Sequence, residues 1–246
     1  MFSFFSKKRE PIQLPFRTDI HCHIIPGVDD GSPDAATSAD LIENMQRWGI
    51  TRIIASPLLS QGTFENTPET LEPAFRELRD ELDRRGNNID ISYSGEYRID
   101  DFLKRRLDQG DIKLMPNGFI IIENSFLQEP WNIDRLIFDL QVRGMRPILA
   151  HPERYTYYFK KPNRYRKLHD AGLAFQINVL SLAGAYGKPE QKVAEQLIAD
   201  GLVDYLGTDL HRARHVEAID EYLRTKTAEK HFHALAGKLR NDIDFN

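Results

Sequence analysis

The 246-residue chain has one cysteine, Cys22, which excludes an internal disulfide framework and suits a reduced, cytoplasmic protein. No stretch approaches the roughly 18 consecutive apolar residues that a spanning helix needs, so no transmembrane segment is expected. A surplus of positive charge is missing too: the net charge is -4 and the pI near 6.1. That argues against a nucleic-acid-binding surface over the whole protein, while leaving room for a local basic pocket. The opening MFSFFSKKREP sets its apolar residues before its basic ones, the wrong order for a secretory signal, and reads as a frayed extension over residues 1–16. No Pro/Gly/Ser-rich linker, internal repeat or low-complexity block follows. Residues 17–246 therefore read as a single domain.

What is present is a regular alternation. Short apolar runs near 17–21, 51–56, 89–95, 119–123, 146–150, 173–178 and 203–207 predict seven strands. Between them, amphipathic segments predict helices from Asp34 to Trp48, Pro68 to Arg85, Ile99 to Gln109, Trp131 to Arg143, Pro162 to Ala171, Pro189 to Asp200 and His215 to about Leu239. Ser32-Pro33 and Thr67-Pro68 look like a cap followed by a first-turn proline. Gly49, Gly86, Gly144, Gly172 and Gly201 sit where helices should stop. This is the pattern of βα units around a parallel sheet, and an α/β barrel is the expected fold.

The strand ends carry the chemistry. His21 and His23 follow RTDI, Glu96 follows ISYSG, Glu123 closes FIIIE, His151 follows RPILA, and Asp209 with His211 follows VDYLGT. Ligands so scattered meet only if a fold gathers one end of many strands, as a β/α barrel does. Residues two apart in a strand share a side, so His21 and His23 can present two imidazoles to one ion while Cys22 faces away. An HxH pair alone also fits two histidines satisfied by hydrogen bonds. Asp29 and Asp30 follow on a tight loop, where one can cap the turn and the other bind metal. Each glutamate taken singly could be a salt-bridge partner, for example of Arg98. Three or four histidines and as many carboxylates, with no thiolate, suit Mn²⁺, Fe²⁺ or Zn²⁺, in two or three ions bridged by a carboxylate. Paired ions of this kind serve phosphoester hydrolysis. Arg154 could reach an anion at the same mouth. Tyr155, Tyr157, Tyr158 and Phe159 either pack under a loop or form an aromatic rim; His169, His231 and His233 are expected at the surface, and His215 is either a capping or a pocket residue.

The ordered set HCHIIPGVDDG, SGEYRI, IIIEN, AHPERY and GTDLH resembles the PHP (polymerase and histidinol phosphatase) superfamily. Within it, DIHCHIIPGVDDGS with AHPERY is similar to the bacterial manganese-dependent protein-tyrosine phosphatases of capsular and exopolysaccharide operons, the CpsB/YwqE type. The resemblance implies a distorted (β/α)₇ TIM-like barrel with its metal site at the C-terminal ends of the strands. It implies His21, His23, Glu96 and Asp209 on a first ion, Glu96, Glu123 and His151 on a second, and Asp30 with His211 on a third. Arg154 would clamp phosphate, Arg212 and Arg214 are candidates for a second arginine, Tyr155 for a substrate contact, and Asp209 and His211 join Arg154 as catalytic candidates. The implied partner is a phosphotyrosine protein, the tail of a polysaccharide-synthesis tyrosine kinase. The chain departs from the family at strand two, where TPH is replaced by SPLL and Leu58 stands in the place of a metal-binding histidine. A small-molecule phosphatase of the histidinol-phosphate type and a catalytically weakened phosphotyrosine-binding protein are the alternatives. No cysteine stands in a CX₅R loop, so thiol-based phosphatase chemistry is excluded.

Overall fold

The computed structural model of the chain describes residues 9–245. The expected extension at its outset, Met1–Lys8, lies outside the described residues. Along the rest run β1 (Thr18–Asp19), α1 (Ala35–Arg47), β2 (Arg52–Ala55), β3 (Leu58–Leu59), α2 (Pro68–Arg84), β4 (Asp90–Tyr93), β5 (Glu96–Arg98) and α3 (Asp101–Gln109). They continue as β6 (Phe119–Glu123), α4 (Ile133–Val142), β7 (Arg146–Ala150), α5 (Pro162–Asp170), β8 (Ala174–Asn178), α6 (Val179–Leu182), α7 (Lys188–Ala199), β9 (Tyr205–Gly207), α8 (Ala213–Tyr222), α9 (Lys226–Leu235) and α10 (Asn241–Asp244).

All pairings between these strands are parallel, in two sheets ordered β1-β2-β4 and β3-β5-β6-β7-β8-β9. The expected second and third strands form as β2 and β4, and each is followed after a two-residue break by a further short strand, β3 and β5, beyond the expected bounds. Pro57, without an N–H, lies in the break between β2 and β3, where the chain leaves the three-stranded sheet for the six-stranded one. The break between β4 and β5 holds Gly95, where a Cβ would meet Leu59 Cδ1 at 2.4 Å. Both breaks fall at the same level, so that β3 and β5 begin side by side at Leu58 and Glu96.

The curl leaves a seam between β1 and β9, sealed from both ends. At one end Cys22 and Leu210 form a parallel bridge, with Asp209 N–H donating to His21 O at 2.8 Å and His23 N–H to Leu210 O at 2.9 Å. At the other, the buried side chain of Asn241 accepts from Leu206 N–H and donates to Thr18 O and Leu206 O. Ile20, Ile54, Phe119, Ile121, Ile148, Ala150 and Tyr205 pack against one another on the concave side of the sheets, plugged by Met115 and Phe245. The larger core lies between the sheets and the helices. Leu14 and Phe16, placed by the sequence reading in the extension, are buried in it.

Helix ends follow capping chemistry, with two corrections. The first helix is capped by Asp34, which accepts from Thr37 N–H, so Ser32-Pro33 lies outside it. The expected long last helix is two, because Thr225 caps α9 by accepting from Ala228 N–H. Thr67-Pro68 does start α2, and all five stop glycines adopt positive φ. No helix among the described residues is long and apolar enough to cross a membrane.

Because Asn241 satisfies three main-chain groups at the seam, Asn241→Ala should leave each of them unpaired. Thermal denaturation should show a loss of roughly 2–4 kcal/mol, lowering Tm by about 5–15 °C. An unchanged Tm would mean that the seam is held without this side chain.

Candidate metal centre

The strand ends converge as expected. His21 Nε2 lies 3.4 Å from Glu96 Oε1 and 3.6 Å from Asp209 Oδ1, while His23 Nε2 is 3.4 Å from both carboxylates. His151 Nε2 is 3.1 Å from Glu96 Oε1 and 3.6 Å from Glu123 Oε1. His21, His23 and Glu96 form one group of ligand atoms within 4.8 Å of one another, and Glu96, Glu123 and His151 form another; Glu96 belongs to both. His23, Asp209 and His211 make a third such group. Spacings near 3.4 Å are long for hydrogen bonds but match the edges of a tetrahedron about an ion ~2.1 Å from each ligand. Glu96 Oε1 is buried without a hydrogen-bond partner although two imidazoles crowd it. The residues fit a metal centre.

Two candidate ligands are reached through unusual backbone. His151 has φ 34° and Asp209 φ 50°, two of the three non-glycine residues with positive φ among those described. Ile148 and Ala150 face the concave cluster and Leu149 the outer core, so strand alternation would carry His151 outward. The left-handed turn brings its imidazole in. Such conformations cost of order 1–3 kcal/mol and persist where surrounding structure imposes them.

The candidate ligands are held by partners that the sequence reading missed. His21 Nδ1 donates to Gln176 Oε1 at 2.5 Å, Gln176 Nε2 donates to Asn178 Oδ1 at 2.9 Å, and Asn178 Nδ2 donates to Asp209 Oδ2 at 2.5 Å. Thus β8 supplies no ligand but orients two, and the protonated Nδ1 leaves His21 Nε2 free to coordinate. Polar Gln176 and Asn178, two apart at the end of an otherwise apolar strand, were the available signal. Tyr186 and Arg154 each donate to Asp209 Oδ2 at 3.1 Å, so that oxygen has three donors while Oδ1 faces His21, His23 and His211. Tyr186 had no sequence signal at all. Asp29 proves to be the structural member of its pair, accepting from His23 Nδ1, Gly31 N–H and Leu58 N–H. At Gly31 a Cβ would lie 2.2 Å from His23 O, so only glycine lets this loop pass the ligand.

Arg154 lines a cleft of about 190 Å³ with Arg98, Phe126, Tyr186, Arg212, Arg214 and His215. Its guanidinium lies 4.1 Å from the Tyr186 ring and 4.8 Å from that of Phe126. Arg98 pairs with Glu123 at 2.6 Å, and Arg212 donates to Asp30 O at 3.3 Å. Asp30 Oδ1 and His211 Nε2 stand 3.6 Å apart at the rim, with Leu58 on the cleft wall beside them. Tyr155 is not at the rim: it is fully buried and donates to Ala150 O, and Tyr158 is buried too. The aromatic rim comes instead from Phe126 and Tyr186. His231 is also buried rather than at the surface, bonded to Tyr222 and near Glu195.

The model of the family described as capsular polysaccharide synthesis, CpsB/CapC, matches residues 17–240. The chain belongs to the CpsB/CapC family. It is 33% identical over 201 residues, 80% of its length and 78% of the relative's, to the tyrosine-protein phosphatase YwqE of Bacillus subtilis. With the tyrosine-protein phosphatase CpsB of Streptococcus agalactiae the identity is 28% over 200 residues, covering 78% of this chain and 82% of the relative. Its fold is similar to a solved structure of the metal-dependent tyrosine phosphatases YwqE from Bacillus subtilis and CpsB from Streptococcus pneumoniae. That match has a TM-score of 0.76 at 29% identity, over 91% of this chain and 94% of the other.

The electrostatics of this CpsB/CapC centre favour cations. Burial opposes protonation of His21, yet Glu96 and Asp209 raise its pKa to about 9. Burial and then the charge of Glu96 push Glu123 up to about 8. Burial and Arg154 lower His151 to about 4, so it is neutral and ready to coordinate near pH 7. Below pH 9 an ion must displace the proton on His21, so binding should release protons and weaken with acidity. Calorimetric Mn²⁺ titrations in buffers of differing ionisation enthalpy should show apparent affinity falling at least about tenfold per unit between roughly pH 8 and 6. Binding without proton release would contradict this ligand set.

Proposed function

We propose that the chain is a metal-dependent protein-tyrosine phosphatase acting on a tyrosine kinase of polysaccharide synthesis, with a centre built by His21, His23, Glu96, Glu123, His151 and Asp209. The observation that carries it is the pair of ligand groups sharing Glu96, set beside Arg154 in a small cleft. Family membership and the relatives' activity support it. The curled sheet is taken as a distorted (β/α)₇ barrel, with β2–β3 and β4–β5 each counted as one strand.

Divalent ions, Mn²⁺ in this reading, would supply electrophilic stabilisation of the phosphoryl group and activation of water. The chain's own groups do the rest. Arg154, held between Phe126 and Tyr186 with one N–H on Asp209, offers its remaining donors to phosphoryl oxygens. His211 donates its Nδ1–H to Asp209 O at 2.8 Å, which turns Nε2 toward Asp30 and the cleft. A phenol leaves with a pKa of about 10, so a strong acid is less necessary than for an alkyl phosphate. Cys22 is buried, and burial pushes its thiol pKa up, so it supplies no nucleophile.

Turnover of a phosphotyrosine peptide well above that of histidinol phosphate, with metal retained through purification, is the expected result. Glu96→Ala removes the ligand shared by two groups and should lower kcat by several orders of magnitude in a folded protein; near-normal turnover would sink the proposal.

Leu58 sets the third ion of this reading apart, since Asp30 and His211 have no imidazole from that position to complete them. Metal titration should find two tight ions and a third that requires high concentration. Leu58→His should tighten the third and raise activity. Three tight ions in the unaltered chain would show that another residue has taken the role.

A further inference from the structure

Apart from the cleft, of about 190 Å³, a groove of about 860 Å³ lies between α3 and α4. Its apolar lining comes from Ile99, Leu103, Leu107, Leu127, Trp131 and Leu136. Leu127 and Trp131 are 91% and 95% exposed, an unusual state for two such side chains on one short loop.

The groove continues the cleft along two stretches of chain. Arg98 lines the cleft and Ile99 and Asp100 line the groove; Phe126 lines the cleft and Ser125, Leu127 and Gln128 line the groove. At the far end Arg143 donates to Leu107 O at 2.7 Å and pairs with Asp108, tying the last turns of the two helices together. The cations along the walls are paired, Lys104 with Asp108 and Arg135 with Asp139, while Asp100 and Asp101 add negative charge near the cleft end. A ligand there gains from apolar contact, and an acidic one is disfavoured.

We propose that this groove holds apolar residues flanking the phosphotyrosine of the substrate polypeptide, an assignment that rests on the phosphatase reading above. The phosphorylated side chain enters the cleft, and the chain beside it passes over Phe126 onto Leu127 and Trp131. Substrate choice then comes from the groove, and the chemistry from the cleft.

Fluorescence provides a direct test. Of the two tryptophans, Trp48 is 2% exposed and donates to Asp220, so Trp131 is the one that a ligand can reach. The probes are a phosphotyrosine peptide with leucines on both sides, a counterpart with aspartates there, and para-nitrophenyl phosphate. The leucine peptide should shift Trp131 emission to the blue and exceed the aspartate peptide about tenfold in kcat/KM. Combining Leu127→Asp with Trp131→Ala should shrink that preference below about twofold, with para-nitrophenyl phosphate turned over as before. Equal rates on the two peptides with unmoved emission would overturn the proposal, as would equal loss on all three substrates. So would a dimer, seen by sedimentation, that the Leu127→Asp change dissociates, because the groove would then be a contact between copies. An emission shift with no turnover of either peptide would count against the phosphatase reading itself.

Discussion

Glu96 and Asp209 are two carboxylates buried within reach of the same imidazoles, and the rest of the molecule is organised around their charge. Burial alone would raise the pKa of each, yet both are held well below the usual carboxylate range, Glu96 by His21 and His151 and Asp209 by His21 and His23. A buried anion is costly unless paired, hydrogen-bonded or coordinated. Here the pairing groups are themselves metal-ligand types, so protons and metal ions compete for one set of atoms. The broken strands, the left-handed turns at His151 and Asp209, and the glycine at position 31 all bring ligands to these two charges.

The supporting elements divide this labour. The β8 strand carries a hydrogen-bonded line from His21 through Gln176 and Asn178 to Asp209, which fixes a tautomer and a carboxylate rotamer together. Asp29 does the same for His23 and ties it to the backbone of Leu58. Position 58 thus acts through its N–H on one ligand while withholding a side-chain ligand from another. Tyr186 holds Asp209 and flanks Arg154, joining the metal-facing and phosphate-facing halves of the cleft.

Much of this was legible in the sequence. Period, caps and stop glycines marked the elements and their parallel arrangement, because local backbone chemistry acts through nearest neighbours. The expected ligand positions His21, His23, Glu96, Glu123, His151, Asp209 and His211 do come together, because they lie near the same ends of parallel strands. Pro57 and Gly95 were visible as residues, but not as the points where the chain changes sheets.

Tertiary structure alone decided the rest. Tyr155 and His231 are chemically suited to a surface and are buried, since packing depends on what stands opposite and not on the residue's own chain neighbours. The roles of Gln176, Asn178 and Tyr186 exist only in relation to Asp209, dozens of residues away. The α3–α4 groove likewise arises from two helices separated by a strand and its loops. The sequence by itself determined which residues could bind metal and in what order the elements run, because both follow from side-chain chemistry and local periodicity. Which atoms share an ion, which oxygen faces it and where a substrate chain could lie were settled by folding, because these are distances across the molecule.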